Sequence, residues 1–358
     1  MKGMSKGSAS QQFIATELGL SRATVSRCFT NHPGISPETR AKVFDLASRL
    51  GYSHMEKAKP RAHSTKLQKL MVGTLICVDL PNFENTLYDN PGQQILIGVT
   101  EYFRTVDTAL DLHYVHSGGS DLDASSYQEI ASSRRRKWKG VLLIYPFPRA
   151  TVDELMATYP VVSLVEQYGT APLNCVDVDH HRGVSRLVEA LHEAGHRRIG
   201  FFTWKYSVEA SWALRRYGAY LEKLTSLGLR PRIEDCVLAE GSDSAAVERA
   251  SEQVLHLIRD GVTAWICAAD HQAYELITWL KARGVEVPRD VSITGFDGIA
   301  KPPGSPVLST VEIPYRQIGI IGAKRLGDMV RKRFDAPQHI LLDCSLRPGE
   351  TIAPPRAR

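Results

Sequence analysis

The chain has 358 residues, with 44 Lys and Arg against 39 Asp and Glu, which gives a formal net charge of +5 at pH 7. That length is enough for two or three domains with cores of their own. We find no apolar run of about 18 residues and no apolar signal-peptide core, so neither a membrane-spanning nor an exported protein is expected. The six cysteines are scattered without a close pair, which is typical of reduced thiols rather than of disulfides or a zinc site.

The positive charge is concentrated at the N-terminus. Residues 1–69 hold 12 Lys and Arg against 4 Asp and Glu, whereas the remaining residues hold 32 against 35. This asymmetry favours a polyanion such as DNA as the partner of the first part alone. Because phosphates that are neutralised by basic side chains release counterions, we expect that binding to weaken steeply with salt.

Residues 10–52 predict three short helices. Gly19 supplies a turn after the first helix, because glycine enters the left-handed region without a Cβ penalty. Ser21 is a good N-cap for a second helix from Arg22 to about Phe29, and Ser36-Pro37-Glu38 is a typical start for a third. Two short helices joined at a glycine turn indicate a helix-turn-helix, whose second helix enters the major groove of DNA.

Residues 54–69 are polar and basic and predict a linker. From Leu70 onward, short apolar runs alternate with amphipathic helical stretches. Continuous apolar strands that alternate with helices are typical of parallel sheets covered on both faces. About 280 residues of this pattern favour two doubly wound subdomains, with a small-ligand cleft at the carboxyl ends of their strands.

Several motifs carry a family resemblance. The N-terminal segment of three predicted helices, which we call the head, contains Leu20-Ser21-Arg22-Ala23-Thr24-Val25-Ser26-Arg27, then Ile35-Ser36-Pro37-Glu38-Thr39-Arg40 and Leu50-Gly51-Tyr52. These runs resemble the head of the lactose-repressor (LacI/GalR) family of bacterial transcription regulators. Later landmarks, among them Gly195-His196-Arg197-Arg198-Ile199-Gly200 and Thr294-Gly295-Phe296-Asp297, resemble the effector domain of the same family, which is similar to periplasmic sugar-binding proteins.

The resemblance implies an α/β protein with an N-terminal three-helix helix-turn-helix head. A two-lobed, periplasmic-binding-protein-like effector domain, made of two doubly wound parallel sheets, would follow. The expected bounds are residues 1–53 for the head, 54–69 for the hinge linker and 70–358 for the effector-binding and dimerisation domain. Its N-lobe would take about residues 70–168 and 316–336, and its C-lobe about residues 172–312 and 338–358.

The resemblance also assigns DNA contacts. Arg22, Ala23 and Arg27 occupy the positions from which the family reads base edges. An arginine fork can take guanine O6 and N7 together, whereas Ala23 offers only an apolar contact, for instance with a thymine methyl. Phosphate contacts, which set the register, fall to Ser21, Thr24, Ser26 and Thr30. The alternative is that Arg22 is merely a solvated residue of the first helical turn.

The linker departs from the family pattern. The family usually carries Pro-Asn after the position of Tyr52 and then a leucine, which wedges into the minor groove from a short hinge helix. Here Ser53-His54 follows Tyr52, Pro60 interrupts the segment and Arg61 stands at the leucine position. Either a basic side chain such as Arg61 enters a narrow minor groove, or the linker is a flexible tether.

Four residues match effector-site positions of the family, and a fifth, Tyr145, is a candidate from its residue type alone. Arg215 and Asp297 would hold the hydroxyl groups of a sugar-like molecule, as an arginine and a carboxylate can do together. Tyr315 matches an aromatic position at the mouth of the cleft, and Asp270 matches a position beside it. Tyr145 is a candidate stacking face. The alternatives are that Arg215 and Asp297 pair with each other or cap strands, and that Tyr145 belongs to the core.

One motif points to a different class of protein. His192-Glu193-Ala194-Gly195-His196 fits the H-E-x-x-H pattern of zinc proteases, which needs both histidines on one helical turn. Gly195, however, is typical of the residue just beyond a helix C-terminus, so the second histidine would leave the helix. We therefore interpret the motif as a chance match, with a zinc hydrolase as the alternative.

Together these patterns predict a cytoplasmic, ligand-responsive transcription regulator that is not an enzyme and needs no cofactor and no metal. It would act as a repressor and bind a pseudo-palindromic operator as a homodimer, since one head makes too few contacts for high specificity. A small, polar, sugar-like effector would switch it, and no membrane partner is expected. The alternatives are an activator of the same architecture or, from another class, a solute-binding protein, which would lack the basic head.

Overall fold

A computed structural model describes residues 10–29, 34–49, 54–55, 70–78, 91–116, 138–169, 171–206, 208, 210–331 and 336–356. The chain forms two compact units. The first comprises Met1–Leu164, Pro172–Cys175 and Arg316–Gln338, and the second comprises Val165–Ala171, Val176–Tyr315 and His339–Arg358. Within the described residues, no helix is both long enough and apolar enough to span a membrane.

The head is a three-helix domain, as predicted. Its helices are α1 (Gln11–Glu17), α2 (Arg22–Phe29) and α3 (Pro37–Arg49). Gly19 lies between α1 and α2 with φ +63°, a backbone conformation that strains any side chain with a Cβ. Ser10 caps α1, because its Oγ accepts the N–H of Phe13 at 3.1 Å. The three helices enclose a small core of buried apolar side chains: Ile14, Ala15, Val25, Cys28, Val43, Phe44 and Ala47.

The first unit is built on a mainly parallel sheet. Its strands are β1 (His54–Met55), β2 (Leu70–Val78), β3 (Thr108–His116), β4 (Val141–Ile144) and β5 (Val161–Leu164). The strand order is β1-β3-β2-β4-β5, followed by β6 (Asn174–Val178), within which the chain passes from the first unit to the second, and by β12 (His339–Leu342), which is assigned to the second unit. Strands β2 to β5 pair in parallel, and the two-residue β1 is antiparallel to β3.

Helices α4 (Pro91–Thr105), α5 (Arg149–Thr158) and α10 (Tyr315–Val330) accompany this sheet. Helices α4 and α10 approach so closely that a Cβ on Gly98 would lie 2.0 Å from the carbonyl oxygen of Arg316. Arg316 also donates two hydrogen bonds to the Glu101 carboxylate, at 2.8 and 2.9 Å. The C-terminal segment that returns at Arg316 is therefore fixed to the N-terminal part of the unit.

The head contacts this sheet directly. Phe44 of α3 stacks on Tyr114 of β3, with ring centroids 5.1 Å apart and an interplanar angle of 27°. Arg40 Nη1 donates to Gln93 Oε1 at 3.3 Å. Tyr114 is buried, and this burial raises the pKa of its hydroxyl. The sequence pattern did not predict this contact between α3 and β3.

The second unit contains a six-stranded sheet of order β13-β11-β10-β9-β7-β8. Its strands are β7 (Ile199–Trp204), β8 (Cys236–Ala239), β9 (Ala264–Cys267), β10 (Ser292–Asp297), β11 (Ser309–Glu312) and β13 (Ser345–Arg347). All neighbours pair in parallel except β13, which is antiparallel to β11. The prediction of an α/β fold with two largely parallel sheets is therefore confirmed.

Four helices accompany this second sheet: α6 (His180–Glu193), α7 (Ser211–Ser226), α8 (Ser244–Arg259) and α9 (Asp270–Lys281). Its core includes the fully buried side chains of Trp265, Phe202 and Ile293. Strands β9 and β10 are each an unbroken run of buried residues apart from Asp297 at the end of β10. The sequence of β9 is the continuous apolar run that is typical of a strand buried on both faces, whereas β10 also buries the hydroxyl groups of Ser292 and Thr294.

Candidate functional site

Helix α2 divides into a buried face and an exposed face. Val25, Cys28 and Phe29 are buried in the head, whereas Arg22, Ala23 and Arg27 are exposed. The three predicted base-reading residues therefore share the surface of one helix, at a helical spacing that leaves the core intact. The assignment itself stays a prediction.

The start of α2 is fixed by two hydroxyl groups. Ser21 Oγ accepts the N–H of Thr24 at 3.0 Å, and the hydroxyls of the two residues lie 2.9 Å apart. Ser21 is thus the N-cap of α2, as the sequence predicted. The free amide groups of a helix N-terminus favour a phosphate nearby, which is consistent with the predicted backbone contacts of Ser21 and Thr24. Ser26 is half-buried on the same helix, and Thr30 and Arg61 lie outside the described residues.

The H-E-x-x-H motif does not form a metal site. Helix α6 ends at Glu193, and Gly195 follows with φ +102°, so His192 and His196 do not share a helical turn. His196 is 1% exposed; its Nε2 lies 2.9 Å from the carbonyl oxygen of Ala353, and its Nδ1 lies 2.8 Å from Thr263 Oγ1. A carbonyl oxygen only accepts, so Nε2 carries a proton, and burial lowers the pKa of the ring. Both ring nitrogens of His196 are therefore occupied by protein partners.

Asp297 is the centre of the predicted ligand site in the second unit. It ends β10, at the carboxyl edge of the parallel strands, and its side chain is 13% exposed. Its Oδ1 accepts hydrogen bonds from the hydroxyl of Tyr315 at 3.1 Å and from Nη1 of Arg216 at 3.2 Å. The structure thus brings Asp297 and Tyr315 together, as the sequence suggested, but the arginine that joins them is Arg216.

The predicted Arg215 lies beside this group. It is half-buried on α7, and its Nε is 3.4 Å from Ser211 Oγ. The alternative in which Arg215 pairs with Asp297 is not what the structure shows, since the ion pair of Asp297 is formed by the next residue in the sequence. A ligand contact of Arg215 stays a prediction.

Asp270 is fully buried and bonded to the protein. Its Oδ2 accepts the N–H groups of Gly298 and Ile299 at 2.8 and 2.9 Å, and its Oδ1 accepts the Thr310 hydroxyl. Burial, together with the nearby Asp297 carboxylate, raises the pKa of Asp270 to about 7. These contacts hold the turn that directly follows Asp297, so they support a positioning role for Asp270.

Tyr145 belongs to the first unit. It directly follows β4 and has φ +72°, and its hydroxyl accepts the N–H of Gly92 at 2.6 Å. A positive φ is uncommon for a tyrosine and marks a special position at the carboxyl end of a strand. Its predicted stacking role stays a prediction.

Sequence reasoning missed most of the residues that hold Asp297. Arg216 is 3% exposed and contacts His180 and Asp297, and His180 in turn contacts Asp177. One signal was available, because Arg216 lies at helical spacing among the other buried residues of α7, which are Ala213, Ala219, Tyr220 and Leu224. An arginine at such a position must find polar partners inside the protein.

Glu166 was missed as well. Its buried carboxylate accepts the N–H and the hydroxyl of Ser211, at the N-terminus of α7. Burial raises the pKa of this carboxyl group even though both bonds from Ser211 oppose the shift. A carboxylate at this position stabilises the positive end of the helix that carries Arg215 and Arg216.

Comparisons with known proteins assign both parts of the chain. The family model for bacterial regulatory proteins of the lacI family matches residues 12–54. The family model for a periplasmic binding protein-like domain matches residues 188–352. The chain is 26% identical to the HTH-type transcriptional regulator IpsA of Corynebacterium glutamicum, over 95% of this chain and 96% of the relative. It is 27% identical to catabolite control protein A of Priestia megaterium, over 89% of this chain and 92% of the relative.

Solved structures show the same fold. The chain is similar to the transcriptional regulator CelR in its cellobiose complex, with a TM-score of 0.65, 21% identity, and coverage of 96% of this chain and 99% of that chain. It is also similar to the lac repressor dimer bound to operator and the anti-inducer ONPF, with a TM-score of 0.62, 21% identity and the same coverage. A lacI-type head thus precedes a periplasmic binding protein-like domain, and this is the domain arrangement of the ligand-responsive, DNA-binding transcription regulators of the LacI family.

Proposed function

We propose that this protein is a repressor that binds a pseudo-palindromic DNA operator as a homodimer. A small, polar, sugar-like molecule held by the second unit would change its affinity for that operator. The observation that carries the DNA-binding part is the exposed face of α2, where Arg22, Ala23 and Arg27 lie together beside the Ser21 cap. The chain is not an enzyme in this proposal, and it acts in the cytoplasm, where the DNA is.

Two arginines and a short helix support direct reading of bases. An arginine discriminates a guanine through two parallel hydrogen bonds, and each good pair of this kind contributes about 1–3 kcal/mol of discrimination. Because one head supplies few such contacts, a second head related by a two-fold axis is needed for an operator of useful specificity. The lac repressor, whose fold this chain shares, is a dimer on its operator.

A fixed carboxylate supports the ligand-binding part. Asp297 lies at the carboxyl end of β10, where parallel α/β sheets bind their ligands. Its orientation is set by Arg216 and Tyr315. A carboxylate held in this way accepts hydrogen bonds from hydroxyl groups, of which sugars carry several. The relative CelR was solved with cellobiose, so polyhydroxylated ligands are the class to test first.

The DNA-binding proposal is tested by selection from genomic DNA. Purified full-length protein is mixed with fragmented DNA at physiological salt, and the retained fragments are sequenced. We expect a two-fold symmetric motif, and we expect Arg27→Ala to relax one base position in each half of it. Gln12→Ala on the exposed face of α1 is the matched control and should leave the motif unchanged. Absence of any enriched motif would contradict the proposal.

The ligand part is tested on the selected operator. Fluorescence anisotropy of the labelled operator is followed while glucose, cellobiose, sucrose or another mono- or disaccharide is added. Release of DNA by one sugar supports an inducible repressor. If no sugar of the panel shifts the operator affinity, the sugar-like effector is wrong. An operator upstream of a promoter that the protein stimulates would identify an activator instead.

A further inference from the structure

Arg216 is a buried cation beside Asp297, and only 3% of the residue is exposed. Its guanidinium lies over two aromatic rings, with Cζ 3.8 Å from the centroid of Phe296 and 4.5 Å from that of Trp212. Its Nη1 donates to the carbonyl oxygen of Ala268 and to Asp297 Oδ1. Stacking and hydrogen bonding together fix the plane of the guanidinium, which a lysine could not reproduce.

The hydrogen bond from Arg216 to His180 determines which ring nitrogen of that histidine carries a proton. Arg216 Nε lies 3.2 Å from His180 Nδ1. An arginine nitrogen of this kind always carries its hydrogen, so Nδ1 has to accept. The ring of His180 is then neutral with its proton on Nε2, which lies 3.0 Å from Asp177 Oδ2 and donates to it.

Asp177 is the last residue in this series of hydrogen bonds, at the end opposite Asp297. The carboxylate is buried; its Oδ2 also accepts Gln167 Nε2 at 2.9 Å, and its Oδ1 accepts the N–H of Val178 at 2.7 Å. Asp177, His180, Arg216 and Asp297 therefore form one continuous hydrogen-bonded series inside the second unit. Each member limits the orientation of the next.

The two oxygens of Asp297 differ in their partners. Oδ1 receives both Arg216 and Tyr315, whereas Oδ2 receives no hydrogen bond from any residue that the structure describes. A carboxylate oxygen has capacity for more than one donor. Because both protein donors lie on Oδ1, the carboxylate is held in one orientation, with Oδ2 left for a donor from outside the protein.

We propose that Arg216 is a positioning residue for ligand recognition: with His180 and Asp177 behind it, Arg216 holds Asp297 so that Oδ2 accepts a hydroxyl group of the ligand. This inference rests on the proposed ligand-binding function and adds the residues that organise the site. The charge of Asp297 is already balanced by Arg216, so the fitting ligand is an uncharged molecule with a hydrogen-bond donor, rather than a cation.

The histidine state gives a test that needs no ligand. Histidine-labelled full-length protein is examined by ¹⁵N NMR, and the His180 signals are identified by their absence in His180→Asn. We expect a neutral ring with the proton on Nε2 in the wild type, and loss of that fixed state in Arg216→Met. A ring protonated on Nδ1 in the wild type would overturn the proposal, whether or not a ligand is known.

The second test uses the sugar of the panel that shifts operator affinity most. We expect Arg216→Met to lower the affinity for that sugar by about 30-fold or more, as the loss of a partner from a buried charged pair does. Arg216→Lys should restore only part of the affinity, because an ammonium group can reach Asp297 without holding His180. Arg249→Met, at an exposed position of α8, is the control.

The outcomes separate the two proposals. Unchanged sugar affinity in a folded Arg216→Met or Arg216→Lys protein would overturn the positioning role and leave the ligand-binding function standing. If no sugar acts on the wild type but the His180 state is as expected, the effector class fails while the arrangement behind Asp297 holds. Thermal unfolding of each variant shows whether it is folded.

Discussion

The exposed face of α2 and the surroundings of Asp297 are two recognition sites built in opposite ways. The residues proposed to read DNA lie within one eight-residue helix and point away from its core. The residues around Asp297 come from α6, α7, β10 and the start of α10, and most of them are buried. The exposed site needs only the helix that carries its side chains. The buried site needs all the hydrogen-bond partners of its side chains to be in place before Asp297 can face a ligand.

The comparison also predicts how the two sites respond to substitution. Changes on the exposed face of α2 should alter DNA binding and leave stability within about 0.5 kcal/mol, as surface substitutions usually do. Changes around Asp297 should alter stability first, because a buried charge that loses its partner pays the full cost of desolvation. Four measurements examine this difference, in order of expected size.

The largest effect is expected for Arg216→Met. This change leaves the Asp297 carboxylate without its cation and should lower the free energy of unfolding by about 3–5 kcal/mol. Urea unfolding of the variant gives the value. Arg216→Met combined with Asp297→Leu should recover much of the loss, because two apolar side chains can replace a buried pair. A double variant as unstable as the sum of the two single variants would show that charge pairing is not the cause.

Arg27→Ala should act on DNA alone. We expect a loss of about 1–3 kcal/mol in binding to the specific operator, with an unfolding free energy equal to that of the wild type. Affinity is measured by anisotropy on the operator and on a scrambled duplex at the same salt concentration. Equal losses on both duplexes would mean that Arg27 contacts phosphate rather than a base.

The buried site should also make stability depend on pH. Burial and the Asp297 carboxylate raise the pKa of Asp270 to about 7 in the folded chain, well above the value of about 3.9 that an unfolded aspartate has. Between these values the folded state binds the extra proton, so the free energy of unfolding falls as pH rises, by at most about 1.4 kcal/mol per pH unit. Urea unfolding from pH 5 to pH 7 measures the slope.

Asp270→Asn is the control for that slope. Its amide oxygen can accept the N–H groups of Gly298 and Ile299, and its NH₂ can donate to Thr310, so it imitates the protonated carboxyl group. The variant should therefore show a flatter pH dependence over the same interval. A slope identical to that of the wild type would assign the pH dependence to another group.

The smallest effect is expected for Ser21→Ala. Its hydroxyl caps α2 through the N–H of Thr24, and loss of such a cap costs about 1 kcal/mol. Both the thermal stability of the head and the operator affinity should fall slightly, because the cap lies at the end of α2 that is proposed to face DNA. Ser21→Asp keeps the cap but adds a negative charge, so it should retain stability and lose affinity.

The local structure of the head was predicted correctly from the sequence pattern alone. The Ser21 cap, the Gly19 turn and the bounds of α2 agree with the sequence prediction, because each depends on residues within one or two helical turns. The alternation of strands and helices was equally visible, since buried parallel strands carry unbroken apolar runs. These features are local, and neighbouring residues decide them.

The ligand site was predicted only in part. Asp297 and Tyr315 were identified from their motifs and lie together in the structure. Arg215 was chosen because it matches a family position, and the helical spacing that places Arg216 on the buried side of α7 was not used. His180 and Asp177 were assigned no role from the sequence, and their importance comes from the partners that the folded chain brings to them.

The sequence by itself therefore determined the helix-turn-helix head, the two mainly parallel sheets and the face of α2 proposed for DNA. It also supplied the family resemblance. Only the tertiary structure decided that Arg216 pairs with Asp297, that Asp270 holds the turn behind it, and that His196 bonds to Thr263 and Ala353. The physical reason is distance along the chain, because short-range steric and capping preferences act between neighbours. Buried polar groups instead have to be satisfied by residues that meet only after folding.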